Sequence, residues 1–453
     1  MSHGGLRSNI MKITRRDLLK TGAVATIGAS LVSEADAQKA KPAAKSMIGV
    51  PFEKRDTVRF GIIGSGERGK SMIHDFLGIE NLEIKAICDN VKANAEEGKA
   101  LVEKAGRPAP ALYTNGDHGY RELLKRDDID FVYIATPWEW HAPQAIEAME
   151  SGKHVGVEVP MATTMADMWK VVDTSERTRK HCIMLENCCF NYQELLVLNM
   201  VRDGVFGELT HGEAAYIHDL RWIVNENRSE GLWRRAWHTR LNGNLYPTHG
   251  LGPVANYMDI NRGDKFDYLV SMSSPSRSLD VYREKTEPKT SPKWKEKYIC
   301  GDMNTSMIKT AKGLTIMLQH DVSTPRPYDR INHIQGTKGT FRDYPQRLFI
   351  DGQEGGHRFT DLSKVKDKYE HWLWKKLGEK ARGAGHGGMD FIMAWRVVQY
   401  FREGLVPDLD VYDGAAWSAP FPMSAESVAK GSMPVKFPDF TRGRWKEKRE
   451  TLK

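Results

Sequence analysis

A short apolar run, Val58 to Ile63, leads directly into the loop Gly64-Ser65-Gly66-Glu67-Arg68-Gly69. A helical pattern leaves that loop over residues 69–79, with Met72, Ile73, Phe76 and Leu77 on one face. Three glycines at this spacing are common in turns. Between an apolar strand and a helix they acquire separate tasks: Gly64 permits the tight turn, Gly66 lets a pyrophosphate approach the backbone, and Gly69 allows close helix–strand packing. The phosphates then meet free N–H groups at the positive end of the helix. Asp89 lies 25 residues after Gly64, at the end of a second strand, Leu82 to Cys88. A carboxylate there accepts hydrogen bonds from the adenine-ribose hydroxyls and repels a 2′-phosphate, which favours NAD over NADP. Arg68 within the loop is a further partner for phosphate.

The chain continues as alternating strands and helices. After a helix through about Lys104 come a helix at Tyr120 to Lys125, a strand at Phe131 to Thr136 and a helix at His141 to Ser151. A strand at His154 to Val159 and a helix at Met165 to Arg179 follow. Such alternation predicts a doubly wound parallel sheet. Near residue 187 the pattern changes. After one helix, Tyr192 to Arg202, strand-like stretches appear at Glu208–His218, Phe266–Ser274, Asn304–Ile308, Leu314–His320 and His333–Gln335. The fold expected is α/β: an N-terminal Rossmann domain over 57–187, then a C-terminal α+β domain over 188–441 with an open, mostly antiparallel sheet. A helix around Gly388–Glu403 is expected to return toward the cofactor domain.

The flanks read differently. Arg15-Arg16 precede a mildly apolar stretch, Thr21 to Val32, and Ala35-Asp36-Ala37 offers a small-x-small cleavage site. Residues 1–37 resemble a twin-arginine export signal. That route carries folded proteins, which suits an enzyme that must acquire its cofactor in the cytoplasm. The periplasm or the extracellular space is the expected location, and the export machinery an expected partner. Residues 38–56, rich in Lys, Ala and Pro, read as a linker, and 442–453 as a basic tail.

Charge excludes one class of partner. The formal net charge is +7, but residues 1–37 hold five basic against three acidic groups and 442–453 six against two. The excess sits at the two ends, so no basic stripe for nucleic acid is expected on a folded face. The longest apolar runs fall short of the roughly 18 residues that span a bilayer. Five cysteines, Cys88, Cys182, Cys188, Cys189 and Cys300, show neither CxxC nor zinc spacing and read as small buried hydrophobes.

Read residue by residue, other candidates stay open. His249 in Tyr246-Pro247-Thr248-His249-Gly250 sits in what reads as a tight, rigid turn. His218 and Asp219 are a structural pair or metal ligands, though no second ligand pair at metal spacing accompanies them. Trp138 and Trp140 stack on a ligand or fill a core. His386 in its Gly-rich turn binds a ligand or caps the following helix, and Glu158 holds a ribose or faces solvent.

With strand–Gly loop–Asp89, Thr136-Pro137…His141 and Glu158-Val159-Pro160 in place, the chain resembles the family of glucose–fructose oxidoreductase and inositol dehydrogenase. Members usually carry Glu-Lys-Pro where this chain has Val159. The more specific resemblance is to glycoside hydrolase family 109, known for NAD-dependent α-N-acetylgalactosaminidase activity. It rests on Trp138-Glu139-Trp140-His141, Glu158-Val159, Leu185-Glu186-Asn187, His218-Asp219-Leu220-Arg221, Tyr246-Pro247-Thr248-His249-Gly250, Met258 to Gly263, Arg326-Pro327-Tyr328 and Gly385 to Asp390. These segments run in the family's order from about residue 58 to 441.

The resemblance implies redox-assisted elimination, an exception to two-carboxylate glycoside hydrolysis. Oxidation at sugar C3 by the nicotinamide acidifies the C2 proton, a base removes it, and the glycosidic oxygen leaves C1. Water then adds and the hydride returns, so the cofactor stays bound. It further implies that Glu67, Arg68, Asp89, Trp138, Glu139, Trp140, His141, Glu158, Val159 and Asn187 line the NAD, along with the glycines. Tyr216, Arg234, Tyr246, Pro247, Thr248, His249 and Tyr328 are implied to contact the sugar. His249 is the expected general base, because an imidazole titrates near working pH, with Tyr246 as its proton partner. In one departure, Phe190 stands where the family commonly has Tyr. A plain NAD-dependent sugar oxidoreductase and a catalytically weak sugar-binding relative are the competing readings, and a homo-oligomer joined through the open sheet is a further expectation.

Overall fold

The computed structural model describes residues 45–353, 358–449 and 451–452. The export signal and residues 38–44 of the expected linker lie outside the described residues. The first sheet has order β3-β2-β1-β4-β5-β6, all parallel, with β1 Val58–Ile63, β2 Leu82–Cys88, β3 Ala111–Tyr113, β4 Phe131–Ile134, β5 His154–Val157 and β6 Cys182–Met184. Helices α1 Glu67–Leu77, α2 Lys92–Lys104, α3 Tyr120–Leu124, α4 Trp138–Glu150 and α5 Met165–Thr178 alternate with the strands. Because both faces of this sheet are covered, its central strands are mostly apolar, and every residue of β4 and β5 is buried. The order reverses direction between β1 and β4, so the loops after these two strands face one another across a crevice at the carboxyl ends of the strands.

The second sheet has order β13-β12-β11-β7-β10-β9-β8-β14. Its strands are β7 Leu209–Ile217, β8 Phe266–Ser273, β9 Asn304–Thr310, β10 Thr315–Asp321, β11 His333–Gly336, β12 Gly339–Arg342, β13 Arg347–Ile350 and β14 Val435–Lys436. All pairs are antiparallel except β7 with β10, so the mostly antiparallel expectation holds. The helices after β6 are α6 Tyr192–Arg202, α7 Arg221–Asn225, α8 Gly231–Arg240, α9 Thr248–Tyr257, α10 Ser278–Thr286, α11 Ser363–Tyr369, α12 Trp372–Ala381, α13 Met389–Glu403, α14 Val411–Ser418 and α15 Pro420–Ala429. One face of the sheet is covered by α9 on β7 and α15 on β8, while α13 returns to pack on α1 as expected. Among the described residues, no helix is long and apolar enough to cross a membrane.

Both flanks are better packed than their composition suggests. In the expected linker, Met47 and Phe52 are buried, and Phe52 stacks on His181 with ring centroids 4.1 Å apart. Two large apolar side chains in a Lys/Pro-rich stretch are enough to seat it. In the expected basic tail, Arg449 donates to Asp410 at 2.8 Å, and buried Leu452 offers its carbonyl to Arg202 at 3.1 Å and His371 at 2.8 Å. Its charge is therefore partly paired.

Candidate active site

The three loop glycines meet three different surroundings. Gly64 has φ +89°, and a Cβ there would lie 2.6 Å from the Ala135 carbonyl oxygen, so only glycine fits. At Gly69 a Cβ would sit 2.2 Å from the Gly64 oxygen. Around Gly66 nothing lies within 4 Å of that position. The backbone is thus bare where a pyrophosphate would approach, and Gly66 precedes α1 as its N-cap with no side chain capping the helix N–H groups. Asp89 directly follows β2, and its carboxylate accepts from the Ser65 N–H at 2.8 Å and from Val91 N–H at 2.8 Å. The carboxylate therefore shapes the loop from below. The crevice fits a dinucleotide.

Several expected cofactor-lining residues are held by protein partners. Arg68 turns away from the loop's open side, donating to Glu158 at 2.9 Å and to Asp390 at 2.6 and 3.2 Å. Asp390, fully buried, also accepts from Asn187 at 2.6 Å and lies 2.7 Å from His386 Nδ1. Burial alone would raise the Asp390 carboxyl, but Arg68 and His386 outweigh it and hold it well below the usual carboxylate range. This hub fastens the Gly loop to the start of α13, so for Arg68 the structure favours an organising role over phosphate pairing. Glu158 also accepts from the Tyr133 hydroxyl at 2.9 Å. His141 bridges the carbonyls of Pro160 and Thr136, both at 2.7 Å, and ties the loops after β4 and β5 together. Val159 is buried and Glu139 exposed, while Trp140 meets His118 edge-on at 5.5 Å.

The second cluster grows out of α9. Its sequence, with Gly250, Gly252 and Pro253, reads as a turn, yet it folds as a helix beginning at Thr248. A Cβ at Gly250 would lie 2.3 Å from the Ala215 nitrogen, and one at Gly252 3.0 Å from Glu186 Cγ. Small residues thus let α9 rest on the β7 backbone and on the chain after β6. His249, in its first turn, reaches Glu186 with Nδ1 2.7 Å from Oε1. Glu186 is fully buried. Burial raises its pKa, but the charge and hydrogen bond of His249 prevail, so it stays ionised. A buried carboxylate on Nδ1 fixes the tautomer that leaves Nε2 free to accept a proton. Sequence reading placed Glu186 in a shared segment but gave it no role.

Aromatic and cationic groups enclose the imidazole. Tyr246 and Tyr216 have ring centroids 4.9 and 5.4 Å from it and 4.5 Å from each other. Burial pushes Tyr216 up to about 12 and Tyr246 well above its ordinary value, so both phenols remain proton donors at neutral pH. The Arg234 guanidinium lies 5.0 Å from the Trp138 ring and 5.4 Å from the Tyr246 ring, paired with Glu230 at 2.7 Å. Trp138, first residue of α4, thereby joins the first domain to α8 and to the segment before α9. Pro247 immediately precedes α9, and Tyr328 closes the rim, 6.2 Å from Tyr216. His218 packs on Tyr216 and Tyr328, with Asp219 bonded to Arg221 at 2.6 and 2.8 Å, so the possible metal pair is divided. Buried Arg234 Nε and His218 Nε2 lack protein partners. Partnerless polar atoms around an aromatic floor suit a ligand rich in hydroxyls. Phe190 is buried and gives its carbonyl to Trp374 at 2.9 Å; Tyr192 stacks edge-on against Trp374 at 5.6 Å.

Known proteins share this organisation. The model for the C-terminal domain of glycosyl hydrolase 109 matches residues 190–447, and that for the oxidoreductase-family NAD-binding Rossmann fold matches 58–186. A glycosyl hydrolase family 109 protein of Solibacter usitatus is 55% identical over 437 residues, 96% of this chain and 98% of its own. An alpha-N-acetylgalactosaminidase of Shewanella oneidensis is 52% identical over 445 residues, 96% and 97% of the two chains. Among solved structures, levoglucosan dehydrogenase in complex with NADH and levoglucosan is similar in fold, with TM-score 0.65 at 20% identity, covering 84% of this chain and all of that one. The N-terminal domain is an NAD-binding Rossmann domain.

Proposed function

The chain belongs to glycosyl hydrolase family 109 and is an NAD-dependent glycoside hydrolase, and on that premise we propose that it cleaves α-N-acetylgalactosaminides or closely related N-acetylhexosaminides, with His249 as the general base. The observation that carries this reading is the Glu186–His249 pair, set among Tyr216, Tyr246 and Arg234 where the second domain meets the crevice. Bound NAD supplies a reversible hydride acceptor at a sugar carbon. The protein's residues do the rest. His249 takes the acidified C2 proton at Nε2, and Glu186 stabilises the imidazolium that forms. Tyr246, held protonated by its burial, donates a hydrogen bond to a sugar oxygen. Arg234, with a free Nε, holds another polar group of the sugar. Trp138 and Trp233 flank that guanidinium, excluding water and fixing its direction.

Val159 supports a glycosidase over a plain oxidoreductase, because it puts a buried aliphatic group where such dehydrogenases use a lysine. The test is a panel of nitrophenyl glycosides supplied to purified protein without added cofactor. Nitrophenol release from the N-acetyl-α-galactosaminide supports the proposal; steady NADH accumulation without bond cleavage overturns it. In H249A the bound NAD should persist while kcat falls by about 10²–10⁴.

Export by the twin-arginine route to the periplasm is also part of this proposal, supported by Arg15-Arg16 and the following Thr21–Val32 stretch. Replacing both arginines by Lys should retain the protein in the cytoplasm, and unchanged fractionation would contradict it. Association of two copies through the exposed face of the second sheet, where Met272 and Met307 are exposed, is tested by the solution mass of the purified protein.

A further inference from the structure

The sugar and cofactor sites leave unused a cluster on the opposite face of the second sheet. Gly212, Ala214 and Tyr216 of β7 turn toward α9, so His211 and Glu213 lie on the other side, by strand alternation. Antiparallel β11 places His333 directly opposite Glu213. His333 Nδ1 is 3.2 Å from Glu213 Oε1, and His211 Nε2 is 3.9 Å from that same oxygen. The three donor atoms all lie within 4.8 Å of one another.

Each imidazole is aimed from behind. His211 Nδ1 lies 2.8 Å from the Thr315 hydroxyl on β10, and His333 Nε2 lies 2.8 Å from the Thr340 hydroxyl on β12. Thr340 donates its own proton to the Ile334 carbonyl at 3.0 Å, so its oxygen must accept from His333 Nε2–H. His333 Nδ1 is thereby turned onto Glu213 Oε1, 3.2 Å away. A divalent cation taking the place of a ring proton there would satisfy the nitrogen and the carboxylate together. Arg342 sits 3.4 Å from the other oxygen of Glu213 and leaves Oε1 free.

We propose that His211, Glu213 and His333 form a binding site for a late first-row divalent metal ion, zinc in the first instance, through two imidazole nitrogens and one carboxylate oxygen. Nitrogen-rich donors suit zinc and its neighbours and not magnesium or calcium, which prefer oxygen alone. Bonds of 2.0–2.2 Å around tetrahedral zinc put ligand atoms about 3.3 Å apart; the His333–Glu213 pair already has that spacing, and His211, 3.9 Å from Glu213 and within 4.8 Å of His333, closes the triangle by moving inward by up to about 1.5 Å. The threonines supply the outer hydrogen bonds that zinc-bound histidines ordinarily make. The side chains are 12–26% exposed, which leaves a fourth position for water. Such an ion would fasten β11 to β7 across the sheet from Tyr216. A second triad, Glu186, Cys188 and His249, is close enough to hold an ion but belongs to the site already described.

The test uses untagged, NAD-loaded full-length protein, stripped with a chelator and reloaded with zinc. One zinc per chain should survive gel filtration, and X-ray absorption should show two imidazoles and no sulfur. H333Q and E213Q should weaken zinc binding more than about 10²-fold at unchanged NAD content. Failure of the wild type to retain zinc, sulfur in its coordination shell, or variants that bind zinc as tightly as wild type would each overturn the proposal. The wild-type spectrum decides the matter even if a variant folds poorly.

Discussion

Replacing Glu186 by Gln removes one charge while preserving size. The carboxylate is fully buried and lies 2.7 Å from His249 Nδ1, so it acts on the imidazolium without solvent between them. A hydrogen bond to a charged partner is worth about 1.5–3 kcal/mol. At about 1.4 kcal/mol per tenfold change, losing it as His249 gains a proton slows proton transfer by about 10- to 150-fold. A second effect adds to the first. If the amide turns its NH₂ toward Nδ1, the ring proton moves to Nε2 and the sugar-facing nitrogen can no longer accept. The equivalent carboxylate-to-amide change in a serine-protease triad costs about 10⁴ in kcat, which sets the upper limit. With a nitrophenyl α-N-acetylgalactosaminide, kcat should fall by about 10²–10⁴ and KM stay within about threefold. NAD content should be unchanged, because Glu186 is absent from the Gly-loop and Asp390 hydrogen-bond networks. A folded, NAD-loaded E186Q protein whose kcat stays within about threefold of wild type would refute the pairing.

Gly66→Val should fold with a melting temperature near that of cofactor-free wild type yet lose bound NAD, whereas Gly69→Ala should lower stability by about 2–4 kcal/mol through the 2.2 Å clash with the Gly64 oxygen; calorimetry and cofactor content separate them. Asp390→Ala leaves the partly buried Arg68 beside one carboxylate instead of two and removes the acceptor of Asn187, and should cost about 1–3 kcal/mol in chemical denaturation. Burial depresses His154 to about 2, His238 to about 3, and His181 and His218 to about 4. Below the unfolded value near 6.5 the unfolded chain binds more protons than the folded one. Stability from these four groups is therefore complete above about pH 6.5 and is lost as pH falls, by up to about 1.4 kcal/mol per pH unit for each. Urea midpoints at pH 7.5, 6.5 and 5.5 should decline across the last interval, and a flat profile would contradict the burial of these rings.

What sequence revealed follows from where the determining forces lie. β1, β2 and α6 occupy the residues expected, because β1 is apolar at all but Arg59, β2 alternates from Leu82 before its buried end Ala86–Cys88, and a helix needs its own apolar stripe. The glycine roles were legible because each is a local backbone requirement. The α9 helix was not: Gly250, Gly252 and Pro253 weaken any local helical signal, and the helix persists because those small residues permit contact with β7. The role of Glu186 was hidden for a related reason. Its partner lies 63 residues away, and a single Glu after an apolar strand carries no pattern. Arg68 reads as a phosphate ligand only until Asp390, 322 residues on, is brought beside it. The outer-face triad was equally silent, since His211 and Glu213 meet His333 only through strand register.

The central claim is that His249 removes a proton from sugar C2 in a cycle that returns its hydride. Turnover of the α-N-acetylgalactosaminide in deuterated water, with the released sugar read by proton NMR and mass spectrometry, tests it directly. The account predicts one deuterium at C2 in each product molecule and no net NADH. Product carrying protium at C2, together with the absence of a primary isotope effect on a C2-deuterated substrate, would contradict it.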